Sequence, residues 1–276
     1  MTKRQTSSLA ASNDSSAAIA SDDIATICAI SILAFIFTDL IHEALGHGVA
    51  ALILGARSLT LSSVALSTDI SGRLLSASGT LANFLLAGIL LFALKRTSGG
   101  SIHLRYFRIL AFAGNAFVGT GYLLFSGLLN VGDWADVISG FQPAWIFRST
   151  LVVLGVVSYY SAARVTAAQM RLLVTGRHSS RITSLTVLPY IAMALISLLA
   201  GAMNPLGLNG ILQSALPAGA GANVGLLFLR GMMPATSEGE LDSRPITRNF
   251  LWIGLACLFG LFFVFVLGPG VHWNRG

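Results

Sequence analysis

The segment His42-Glu43-Ala44-Leu45-Gly46-His47 places two imidazoles and a carboxylate inside a hydrophobic stretch that runs from Ile24 to Ala56. An ionisable side chain at membrane depth costs roughly 2.5–3.5 kcal/mol even on the lenient insertion scale. The chain has 11 acidic residues, and Asp39 and Glu43 are the two that fall within an apolar span. His, Glu and His on one helix suggest a metal centre. In His-Glu-x-x-His the two histidines stand one turn apart and can both reach one Zn²⁺, while the glutamate handles protons. Here the second histidine is displaced by one residue, giving His-Glu-x-x-x-His. Positions five apart on an ideal helix differ by about 140° in azimuth, against about 40° for positions four apart. Both imidazoles therefore converge only if the helix deforms. A single-turn π-bulge absorbs one residue, and Gly46 and Gly48 weaken the helix where it is needed, so the spacing predicts a bulge between Glu43 and His47. On a regular helix Asp39, Glu43 and His47 would instead form one polar stripe, as a proton or cation pathway requires.

The elements that must position these groups are membrane helices. The 276 residues are 54% hydrophobic and 10% charged, with a mean hydropathy of +0.77, whereas a soluble domain carries about 25% charged residues. The expected fold is an all-α, polytopic membrane bundle of six or seven transmembrane helices. About 20 apolar residues are needed per crossing, and candidate spans fall at 24–55, 74–94, 107–129, 147–169, 184–203, 209–229 and 249–268. The first would be about 48 Å long as a straight helix, so it must be tilted, broken or partly buried in protein. The sixth is the weakest, interrupted by Pro217, Gly219 and Gly221. The organisation expected is a disordered cytoplasmic tail over 1–23, a membrane core over 24–140 that carries the site, and additional transmembrane helices over 141–276. Cys28 and Cys257 both lie in apolar segments and suggest no disulfide framework.

All but two of the 17 basic residues are arginines, scattered between spans with no single basic stripe. That argues against a nucleic-acid partner and for a role in orienting helices in the lipid bilayer. Lys95, Arg96, Arg105 and Arg108 flank the loop after span two, Arg171, Arg177 and Arg181 the loop after span four, and Arg230, Arg244 and Arg248 the loop after span six. The positive-inside rule then places the N-terminus and the even loops in the cytoplasm.

A catalytic zinc usually takes three protein ligands. A third ligand is offered by Asn130-Val131-Gly132-Asp133-Trp134-Ala135-Asp136, just past span three. Asp133 follows Gly132 at a break between helices, where its side chain can point back into the bundle, and Asp136 is the substitute if Asp133 points away. Between the two motifs lies Ser78-Gly79-Thr80-Leu81-Ala82-Asn83, whose small residues permit close approach in a membrane. Asn83 is placed to bond substrate backbone or another helix.

Taken in this order, the three pieces resemble the site-2-protease family of intramembrane zinc metalloproteases. His42, Glu43 and His47 match its His-Glu-x-x-His with one inserted residue. Gly79 and Asn83 match its Gly-Pro-x-x-Asn with Thr80 in place of proline. Asn130 and Asp133 resemble its Asn…Asp-Gly, with Trp134 where glycine is common. The resemblance covers about residues 24–140. It implies zinc held by His42, His47 and Asp133, Glu43 as general base, and hydrolysis of a peptide bond in a membrane-associated protein or peptide substrate. The alternatives are a proton- or cation-coupled transporter using Asp39, Glu43 and the histidines, and a catalytically inactive membrane scaffold. Asn115, Asn204 and Asn209 are expected to make helix contacts or caps, and His103, His178 and His272 to be solvated in loops or at the terminus.

Overall fold

A computed structural model describes residues 21–96, 100–174, 179–233 and 244–274. Most of the expected tail and His178 lie outside the described residues. Seven helices among the described residues are long and apolar enough to cross a membrane: Ile24–Ile53, Arg73–Arg96, Ile102–Leu129, Ala144–Arg171, Ser180–Ala202, Leu208–Met232 and Phe250–Leu267. The protein is an all-α bundle and a multi-pass membrane protein, with bounds within a few residues of those expected. Lipid offers no hydrogen bonds, so each backbone must satisfy itself within its helix. The ends are fastened where side chains can replace missing partners. Asp23 accepts bonds from the Thr26 N–H and hydroxyl at 2.9 and 2.7 Å, and Asn249 caps the seventh span by accepting from Leu251 and Trp252 N–H.

The third span is the axis of the bundle, 78% buried against 28% for the second and seventh. Its Tyr106, Ile109, Leu110 and Phe117 pack with Ile27, Ile30 and Ala34 of the first span and Phe263 of the seventh. Phe35 meets Phe263 edge to face at 6.0 Å, so the C-terminal spans and the motif-bearing first span share one core. In lipid this packing is held by dispersion and close approach more than by expulsion of water.

One end of the bundle gathers the start of the first span and the ends of the even loops. Arg181 pairs with Asp22 at 2.9 Å and Arg248 with Asp23 at 3.0 Å, while Arg244 donates to Gly100 O. The Arg248–Asp23 pair, with its arginine exposed, is worth about 0–1 kcal/mol, whereas the Arg181–Asp22 pair is largely shielded from solvent. His103, expected to be solvated, is instead buried within the third span and bonded to Thr247 O at 2.8 Å. Thr247 reaches it from far along the chain, which its local sequence does not reveal.

The other end carries a small antiparallel sheet that the sequence analysis did not anticipate. Strands β1 (Ser58–Leu61), β2 (Leu66–Thr68) and β3 (Val271–Asn274) are ordered β2-β1-β3, with Leu59 opposite both Thr68 and Trp273. His272 is exposed near the terminus, as expected, but lies on β3, where its Nδ1 bonds Thr60 Oγ1 at 2.7 Å. Asp69 anchors the hairpin by accepting from Arg57 and Ser58 N–H at 3.0 and 3.1 Å.

Three spans depart from α geometry, the seventh only at its end, where Phe263–Leu267 is π-helical. Ile41–Gly48 is π-helical, and Val49 N–H reaches back to Ala44 O. The sixth span widens into π turns at Ile211–Ala215 and Pro217–Gly221. Pro217 has no N–H to give the Gln213 carbonyl its α-helical bond, so the chain must widen or leave that carbonyl unpaired.

Candidate metal centre

The π-turn brings the two motif histidines face to face. His42 Nε2 and His47 Nε2 lie 3.2 Å apart. Asp133 Oδ2 lies 3.1 Å from the first and 3.3 Å from the second. Asp133 is delivered by a local break: Asn130 ends the third span in the left-handed region (φ 57°), Gly132 takes φ 84°, and the short helix Asp133–Ile138 begins immediately after. Asp136 lines the neighbouring cavity, but the residue brought against the imidazoles is Asp133.

The outer nitrogens decide which atoms face inward. His47 Nδ1 sits 2.8 Å from Leu75 O, and a carbonyl only accepts, so Nδ1 carries the proton. His42 Nδ1 sits 2.6 Å from Asn83 Oδ1. Asn83 Nδ2 donates to Asn115 Oδ1 at 2.8 Å and to Thr38 O at 3.3 Å, which assigns its oxygen to the histidine. Both Nε2 atoms therefore present lone pairs. With Asp133 Oδ2, which is inaccessible and makes no well-directed hydrogen bond among the described residues, three electron-rich atoms crowd one point. That arrangement demands positive charge. A protonated imidazole can supply it: burial raises the Asp133 carboxyl, but the imidazoles outweigh this and hold it at about 2. A cation supplies it better. A tetrahedral ion with ligands at about 2.0–2.1 Å spaces its ligand atoms about 3.3–3.4 Å apart, and the three separations here fit. The rings are also held from outside, as metal-binding histidines usually are: His42 stacks on Tyr122 with ring centroids 4.7 Å apart.

Glu43 is close to the same point, since His42, Glu43 and His47 each offer a ligand atom within 4.8 Å of the others. Its Oε2 accepts the Leu66 N–H of β2 at 2.6 Å, leaving the other oxygen free. His42, Glu43 and His47 are all under 9% exposed. Glu43, His47 and Asp133 line a cavity of about 1080 Å³ whose other walls come from the hairpin and the third and sixth spans.

Two glycines make the approach possible. A Cβ on Gly46 would lie 2.5 Å from Gly79 Cα, and one on Gly79 would lie 2.5 Å from His47 Nε2 and 2.7 Å from His42 Nε2. Gly79 thus leaves open the space between the rings. Asn83 bonds the first and third spans, which was one of its two expected roles. Asn115 and Asn204 make helix contacts as expected, Asn204 through Gly268 O at 2.9 Å. Asn209 makes no side-chain hydrogen bond among the described residues and lines the cavity. The Leu66 N–H and Tyr122 escaped sequence reasoning: one is a backbone group of a strand, the other an unremarked aromatic in a membrane span.

Compared with known proteins, the chain matches no protein-family model, no curated protein and no solved structure.

Proposed function

We propose that this protein is an intramembrane zinc metallopeptidase of the site-2-protease kind, with His42, His47 and Asp133 as ligands and Glu43 as general base. The observation that carries the reading is the convergence of three lone-pair atoms, 3.1–3.3 Å apart, beside a buried carboxylate. A zinc ion there would polarise a carbonyl and lower the pKa of water towards about 7. Glu43, with one oxygen held by the Leu66 N–H, takes a proton from the attacking water through the other. As the new C–O bond forms and the C–N bond breaks, Glu43 returns that proton to the departing amine. The grouping of the N-terminus with the even, arginine-rich loops supports a cytoplasmic N-terminus under the positive-inside rule, and the site then opens towards the outer side.

The test is Glu43→Gln, which keeps shape but cannot accept a proton at neutral pH. Turnover of a membrane-spanning reporter peptide should fall about 10²- to 10⁴-fold with zinc content unchanged. Equal turnover removes Glu43 from the mechanism, and no turnover by either protein returns the scaffold reading. One observation favours a cation path: among the described residues the buried Oδ2 of Asp39, one turn before Glu43, has no hydrogen-bond partner. Electrogenic flux in liposomes that is lost in Asp39→Asn would establish that reading.

A further inference from the structure

The sixth span contributes a wall to the cavity that the metal cluster does not account for. Asn209 and Gln213 both line it, close to the residues around Glu43 and His47. They stand four residues apart and so share a helix face. Among the described residues neither amide has a hydrogen-bond partner, unlike Ser214 beside them, which donates to Val64 O. Both are exposed, and both lie within a helix long and apolar enough to cross a membrane. An amide buried without partners in an apolar medium would cost several kcal/mol; these two are exposed, so they face the open cavity, where water or an occupant can hydrogen-bond with them. The rest of the lining is mostly uncharged and apolar, including Leu124, Phe125, Leu128 and Val224. The volume of about 1080 Å³ is at the upper end of small-ligand pockets.

From this lining we infer that Asn209 and Gln213 bind the backbone of an extended, apolar peptide segment in the cavity. A primary amide carries both donors and an acceptor, which matches a peptide group, and being uncharged it offers a bare ion no opposite charge. A helical substrate cannot use it, because its own N–H and C=O groups are already paired. An unwound one can, and only an unwound segment offers a carbonyl to be attacked. The inference rests on the peptidase reading for its purpose, but it makes a separable binding claim.

The experiment uses the full chain, zinc-loaded, in nanodiscs, with Glu43→Gln present to prevent turnover. The probe is a fluorescently tagged octapeptide of alternating leucine and alanine, and its partner is the same peptide N-methylated at alternate residues. Gln213→Leu and Asn209→Leu should each weaken binding of the unmodified peptide about three- to tenfold, with zinc content unchanged. Gln213→Glu, of similar shape but without N–H donors, should weaken it too. The N-methylated peptide should bind less well and be indifferent to the substitutions. Equal binding of both peptides by all these proteins overturns the inference. Hydrolysis by protein with Glu43 intact is scored separately. Hydrolysis with binding independent of Asn209 and Gln213 overturns the inference alone, and binding that depends on them without hydrolysis overturns the peptidase reading alone.

Discussion

Gly79→Ala tests the proposed metal position with a single methyl group. The added Cβ would stand 2.5 Å from His47 Nε2, 2.7 Å from His42 Nε2 and 2.8 Å from His42 Cε1, where ordinary contact begins at 3.4 Å. The two nitrogens would have to retreat by about 0.9 and 0.7 Å, several times the roughly 0.2 Å tolerance of a metal–ligand distance. Neither ring is free to do so, because His42 is stacked on Tyr122 and tied to Asn83, and His47 is tied to Leu75 O. Zinc affinity should fall by at least about 100-fold, the upper end of what loss of a supporting hydrogen bond costs. Helix propensity works the other way, since alanine is better than glycine mid-helix by about 0.5–1 kcal/mol. Gly88→Ala on the same helix, where nothing lies within 4 Å, is the matched control. The assay is zinc per chain by elemental analysis after equilibration at buffered free zinc. Wild-type affinity in Gly79→Ala would refute the reasoning, because the space between the rings would then not be where the ion sits.

Asn83→Ala should lower zinc affinity about 10- to 100-fold by releasing His42 Nδ1, read in the same zinc assay. Asp133→Ala should lose tightly bound zinc while Asp136→Ala keeps it; the reverse result would transfer the third ligand to Asp136. Asp69 gives a pH dependence at the hairpin: the bond from Ser58 N–H chiefly, against slight burial, and then that from Arg57 hold its carboxyl below the ordinary 3.8. A lowered folded value means the anchoring is fully present above the ordinary carboxylate range and is lost as pH falls below 3.8 through the folded value. Hydrogen exchange at Arg57 and Ser58 should accelerate over that window in wild type, and Asp69→Asn should abolish the pH dependence.

Span positions were legible because a bilayer imposes a length of apolar residues that any chain must meet. The deformation of the first span was legible for a related reason: His42 and His47 are five residues apart, and only a widened turn aims both inward. The sheet was not legible. Its strands are three or four residues long, too short to show a periodicity, and β3 joins β1 from the far end of the chain. With the sheet hidden, the Leu66 N–H that orients Glu43 was hidden as well. The place of Asp133 could be argued from the Gly132 break, whereas Gln213 gave no sign, since a glutamine in a membrane span says nothing of which wall it faces. The burial of His103 depends on Thr247, which meets it from far along the chain.

The widened turn in the first span is also a phase slip between two packed regions. Before it, Ile27, Ile30 and Ala34 belong to the main core, and after it Ala51 and Ala56 belong to a separate cluster with Leu59 and Leu75 beside the sheet. Each residue added to or removed from an α-helix turns everything beyond it by about 100° and shifts it by about 1.5 Å. Deleting Ala44 would restore the four-residue histidine spacing on a regular helix. It would also rotate Ala51 away from Leu59 and Leu75 and move the hairpin that holds Glu43. The additional residue thus lets one continuous span serve two cores set at different angles, with the histidines at the joint between them.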